Sequence, residues 1–155
     1  MLKIMVCALS FILAIGGCAT LREAGIPYPS ARVTEVDLAG VSFTSLTLEF
    51  DVEVTNPYAA PLPILGIDYV ISTEGKQFLE GGVESQQMIP SKASAIVPLA
   101  VKIPFLKLRD VVGDVKPGMT MPYRADFGLK VDAPIVGAIR LPVDKTGNLS
   151  IPSLP

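Results

Sequence analysis

Two stretches of strict alternation constrain this chain more than anything else in it. From Leu46 to Thr55, the apolar Leu46, Leu48, Phe50, Val52 and Val54 alternate with Thr47, Glu49, Asp51, Glu53 and Thr55. From Tyr123 to Asp132, Tyr123, Ala125, Phe127, Leu129 and Val131 alternate with Arg124, Asp126, Gly128, Lys130 and Asp132. Successive side chains of a strand point to opposite faces, so each stretch buries one face and wets the other. A slip of one residue would turn the whole apolar set outward, so both registers are strongly specified.

Weaker strand signals flank these two. Arg32 to Leu38 alternates imperfectly around Val33 and Val36. Ile67, Tyr69 and Ile71 mark a third good strand, and Gln77 to Glu80 pairs with it through a Glu74-Gly75-Lys76 turn. Val97, Leu99, Val101 and Ile103 share a parity with Pro98 inside the run, and Ile139, Leu141 and Val143 end the series around Pro142. Proline donates no N–H, so the first of these strands belongs at an edge or a bulge and the second at an edge. Phe105, Leu108, Val112 and Val115 instead recur near helical spacing. Pro104 suits a helix start and Pro117-Gly118 a stop, which predicts one short helix over 105–114. With 14 prolines and 13 glycines in 155 residues, short elements joined by turns are favoured over a helical bundle. About seven strands at this spacing predict an all-β antiparallel sandwich of two sheets.

The first residues read as an address. Lys3 precedes the apolar run Ile4 to Ile15, which has the length of a signal-peptide core and is short for a spanning helix. Ile15-Gly16-Gly17-Cys18 then resembles a bacterial lipobox, in which the chain is cut before the cysteine and the cysteine is acylated. That divides the chain into a lipoprotein signal peptide at 1–17, lipidated Cys18 with a tether to residue 31, and a domain at 32–155. Gly25, Pro27, Pro29 and Ser30 keep the tether out of helix. Each buried CH₂ of an acyl chain contributes about 0.8 kcal/mol, so several chains anchor stably. Ala19, where an aspartate would signal retention, resembles the outer-membrane sorting rule of a Gram-negative host. The chain has two cysteines; Cys7 leaves with the leader and Cys18 carries lipid, so the domain has no thiol left for a disulfide.

Composition excludes several classes of function. A formal charge of −2 and a pI near 5.1 argue against a nucleic-acid partner. Histidine is absent, which removes His-based triads and imidazole zinc sites. The carboxylates Glu49, Asp51 and Glu53 share one strand face at about 6–7 Å spacing and read as a solvated face. Asp144-Lys145-Thr146-Gly147-Asn148 faintly resembles the start of a calcium loop but has Pro155 where the twelfth position needs a glutamate, so a tight turn is the expectation. No phosphate loop, nucleophile elbow or metal-spaced cysteine set is present. The residues therefore predict neither an enzyme nor a cofactor.

The alternating strand from Leu46 ends in Asn56-Pro57-Tyr58 and is followed by Leu62-Pro63-Ile64, Ile67-Asp68-Tyr69, Gly75-Lys76 and Gly81-Gly82. This ordered series, with one helix before the penultimate long strand, resembles the LEA type 2 family, the LEA14-like group that includes the WHy domain, over about residues 32–145. The resemblance implies a fibronectin-III-like or Ig-like sandwich tied to desiccation and related stress. A structural turn motif of Asn56, Pro57, Gly81 and Gly82 is expected. Asn56 would accept backbone hydrogen bonds and stop its strand, Pro57 would fix φ, and the glycines would supply backbone angles closed to other residues. The lipoprotein signal departs from the plant cytosolic members. The leading expectation is a membrane-anchored, stress-protective lipoprotein with client proteins or lipid as partners; a lipid-handling module and an envelope scaffold are the alternatives.

Overall fold

The computed structural model describes residues 25–153, and the leader, Cys18 and the first part of the tether lie outside them. Eight strands and one helix follow in order: β1 (Ser30–Val41), β2 (Ser45–Thr55), β3 (Leu62–Thr73), β4 (Lys76–Glu84), β5 (Met88–Ile89), β6 (Ser94–Pro104), α1 (Phe105–Val112), β7 (Thr120–Ala133) and β8 (Gly137–Ser150). One sheet runs β1-β2-β6 and the other β4-β3-β7-β8, with β5 paired to β3. All pairings are antiparallel. This is the all-β, fibronectin-III/Ig-like sandwich with one short helix that the alternation and the family resemblance predict.

The two best-patterned strands are the central strands of their sheets. β2 lies between β1 and β6, and β7 between β3 and β8. Phe50 of β2 meets Tyr123 and Phe127 of β7 edge-on, with ring centroids 6.3 and 5.0 Å apart. Such pairs add about 0.5–1.5 kcal/mol beyond their buried area. The rest of the core follows the predicted parities, with Leu46, Val52, Val54, Val101, Ile103, Leu129 and Val131 all buried.

Edges behave as the prolines require. Pro98 sits in β6, paired to β2 alone, and the register past it is unbroken, so the strand is an edge and not a bulge. Pro142 lies in β8, the edge of the other sheet. β1 begins at Ser30, so Ser30 and Ala31 of the expected tether are strand, opposite Thr55 and Val54.

The helix is two residues shorter than the spacing suggests. Gly113 ends it at φ 79°, its N–H bonding the Arg109 carbonyl at 2.9 Å, a positive φ that glycine adopts without steric cost. Leu108 is its one fully buried residue.

Two expectations are corrected. Asp144 to Asn148 is not a turn but part of β8, paired residue by residue with Pro122 to Asp126 of β7. Gly81 and Gly82 are not at a turn either; they lie inside β4 opposite Tyr69 and Asp68. Their backbone needs no left-handed angle. A Cβ on Gly81 would stand 2.5 Å from the Tyr69 hydroxyl, so glycine is there to make room for the ring.

Candidate functional site

Asn56 is the most heavily bonded polar side chain of the core. It is 1% exposed at the end of β2. Its Nδ2 donates to the carbonyls of Ala60 (2.9 Å), Ile89 (3.1 Å) and Pro90 (3.0 Å), and its Oδ1 accepts from the Tyr58 N–H at 2.9 Å. The acceptor role matches the sequence reading. The donor role was not readable, because Ile89 and Pro90 are more than 30 residues away along the chain. Asn56 thus fastens the bend after β2 to β5 and is architectural. Beside it, the Tyr58 hydroxyl is buried with no hydrogen-bond partner among the described residues, and burial raises its pKa.

Charged groups sit at the surface. Glu49, Asp51 and Glu53 do share the outer face of β2. Glu53 pairs with Arg32, while Asp51 stands opposite Glu35 and Glu49 opposite Asp37 in the β1–β2 register, two like-charged pairs. Among the described residues no group of three metal-ligating side chains could hold an ion. On the other sheet Arg140 crosses over Gly128 to reach Asp68, and Lys130 reaches the same carboxylate at 3.4 Å. The Arg140 hydrogen bond, seconded by Lys130, holds Asp68 below the usual carboxylate range.

Of the concave features on the described surface, two bear on function. A cleft of about 560 Å³ follows the open seam between β1 and β8, floored by Leu48, Tyr123 and Leu149 and rimmed by Glu35, Asp37 and Lys145. A larger groove of about 730 Å³ lies at the helix end of the sandwich, between the β1–β2 turn, α1 and Ile151. Its apolar lining includes Val41, Phe43, Phe105, Leu106 and Val115, with Arg109, Lys116 and Asp114 among them.

The backbone holds this second groove firmly. The Ser42 hydroxyl accepts the N–H groups of Thr44 and Ser45 at 3.3 and 3.1 Å, and the Ser42 N–H donates to the Ser45 carbonyl at 2.8 Å. The Phe105 N–H donates to the Thr44 carbonyl at 2.9 Å, so the helix start and the turn are one unit. Ile151 is fixed by bonds between its backbone and that of Gly118 and Met119. Phe43 at the crest of the turn is 91% exposed and Leu106 is 65% exposed. Neither was singled out in the sequence. The available signal was a phenylalanine between Ser42 and Thr44, where turn chemistry favours polar residues.

Known proteins agree with this architecture. The late embryogenesis abundant protein model (LEA_2) matches residues 51–147. A desiccation protectant protein Lea14 homolog of Glycine max is 30% identical over 133 residues, spanning 86% of this chain and 88% of its own. Late embryogenesis abundant protein Lea14-A of Gossypium hirsutum is likewise 30% identical over the same shares. The solution structure of the late embryogenesis abundant protein At2g46140.1 superposes with a TM-score of 0.73 at 28% identity, covering 87% of this chain and 78% of that one. A crystal structure from Archaeoglobus fulgidus shares the fold alone, with a TM-score of 0.62 at 13% identity over 81% of this chain and 98% of that one. Strand order, the Asn-Pro strand end and the extent of these matches lead to one conclusion: the chain belongs to the LEA_2 family of late embryogenesis abundant proteins.

Proposed function

We propose that this chain is a non-catalytic, stress-protective LEA_2 lipoprotein, held at the cell envelope by lipid on Cys18, that shields neighbouring proteins or lipid as water is lost. The observation that carries the reading is its likeness, across 86% of its length, to a protein named as a desiccation protectant. The geometry supports a passive role: the buried polar residues are Ser45, Asn56 and Thr73, and no charged side chain is buried among the described residues. The anchor rests on Ile15-Gly16-Gly17-Cys18 behind its apolar run. In a Gram-negative host, Ala19 favours the outer membrane facing the periplasm.

Two measurements test this. A labile dehydrogenase dried with the purified protein should retain more activity than one dried with an equal mass of albumin; equal losses would count against protection. Mass spectrometry of the mature N-terminus should find acylated Cys18, and Cys18→Ser should release the protein from the membrane fraction. An unmodified terminus would remove the anchor while leaving protection standing. A lipid-handling module is the second reading, favoured by the seam cleft with its Leu48, Tyr123 and Leu149 floor. Native mass spectrometry of protein exposed to lipid would support it by a bound lipid and reject it by none.

A further inference from the structure

The geometry points to the helix end of the sandwich as a docking tip for an anionic lipid surface. Phe43 and Leu106 project from a braced turn and from the first turn of α1, so the rim of the groove is an exposed apolar wedge. A protein partner must supply a matching pocket for such a wedge; the interfacial region of a bilayer accepts an apolar side chain of any shape. Charge selects which bilayer. Arg109 and Lys116 line the groove behind the wedge against the single Asp114, and neither cation makes an ion pair among the described residues. Lys107 lies outside this groove, in a separate concavity with Glu80 of β4. On one flank the sign reverses. The outer face of β1 and β2 presents Glu35, Asp37, Glu49 and Asp51 with no cation paired to them among the described residues, and this face is repelled by a negative membrane. Attraction at the tip and repulsion at the flank orient the molecule end-on. The docking needs neither an acyl chain on Cys18 nor protective activity, and it stands or falls separately from both.

The absence of tryptophan makes the test direct. Phe43→Trp in the full chain places one reporter at the tip, on a side chain that packs against almost nothing. With vesicles of equal phosphatidylcholine and phosphatidylglycerol, its emission should shift to the blue and be quenched by brominated acyl chains. Vesicles of phosphatidylcholine alone should give much weaker changes. Arg109→Glu and Lys116→Glu should each weaken partitioning by about fivefold or more, and Phe43→Ala by roughly tenfold. Met88→Trp, on the distant β5, serves as the control and should report no change. An unchanged Phe43→Trp spectrum would overturn the proposal. So would equal quenching at position 88, which would place binding elsewhere in the chain. An emission already blue without lipid and dependent on protein concentration would assign the tip to a second copy of the chain and also overturn it.

Discussion

Single residues divide into those that brace the fold and those that merely fit it. Asn56 braces: Asn56→Ala would leave the carbonyls of Ala60, Ile89 and Pro90 and the Tyr58 N–H short of partners inside the protein. Each buried group so stranded costs about 1–3 kcal/mol, so a loss of about 2–4 kcal/mol is expected by urea unfolding after local relaxation. Tyr58→Phe should do the opposite. It removes a hydroxyl buried without a partner among the described residues, and should be neutral or stabilising by about 1 kcal/mol. Glycines give a sharper contrast. A Cβ at Gly66 would stand 2.8 Å from the Val83 backbone oxygen, which cannot yield without moving a strand. The atoms nearest a Cβ at Gly128 belong to the end of the Arg140 side chain, which can swing away. Gly66→Ala should therefore lower the unfolding midpoint clearly, while Gly128→Ala barely moves it and instead raises the Asp68 pKa toward its ordinary value in an NMR titration. None of these roles is readable from the residue alone, since each depends on a partner brought in by the sheet.

At the scale of elements, alternation is the strongest signal and its absence the commonest source of error. β2 and β7 match their predicted spans to within a few residues because one face of each is buried along its whole length. The end of β8 reads as a turn in the sequence because Asp144 to Asn148 is rich in turn formers. Long-range pairing with β7 overrides that local preference, and Gly147 is there because the Tyr123 ring lies over it. β1 is hard to read for a different reason. Register shifts between Val33 and Glu35 and between Leu38 and Gly40 break its parity, and most of its residues are exposed. Those shifts leave Glu35 facing Asp51 and Asp37 facing Glu49. Like charges directly opposite are destabilising by up to about 1 kcal/mol. Glu35→Lys or Asp37→Lys should thus stabilise the domain by a few tenths to about 1 kcal/mol at low salt, and the gain should fade as salt is added. A gain that ignores salt would mean that packing, not charge, is responsible.

The whole molecule is held by contact between the central strands of two sheets. Removing Phe50, which meets rings from β7, should cost about 3–5 kcal/mol and unfold both sheets in one transition seen alike by circular dichroism and tyrosine fluorescence. Acid and alkali limit stability from opposite sides. Asp68 has a folded pKa below its unfolded one, so the stability it contributes is complete above about pH 4 and is lost as pH falls through the depressed value. Tyr58 and Tyr123 are raised by burial, so stability falls as pH climbs beyond about 10, where the unfolded chain gives up its protons first. A melting temperature flat across neutral pH and falling at both ends is expected, and Asp68→Asn should blunt the acid side. The sandwich itself was legible in the sequence, because so many one-sided strands beside one short helix must bury their apolar faces against one another. The groove at the helix end was not, because it assembles from three segments far apart along the chain.

The outer strands share one trait. β1 carries two register shifts, β4 one shift and the adjoining Gly81 and Gly82, β6 holds Pro98 and β8 holds Pro142. Irregular margins of this kind resist zippering with a neighbour. When evaporation crowds such molecules into a glassy film, they should settle side by side as separate particles, and rewetting should return them to solution without fibrils.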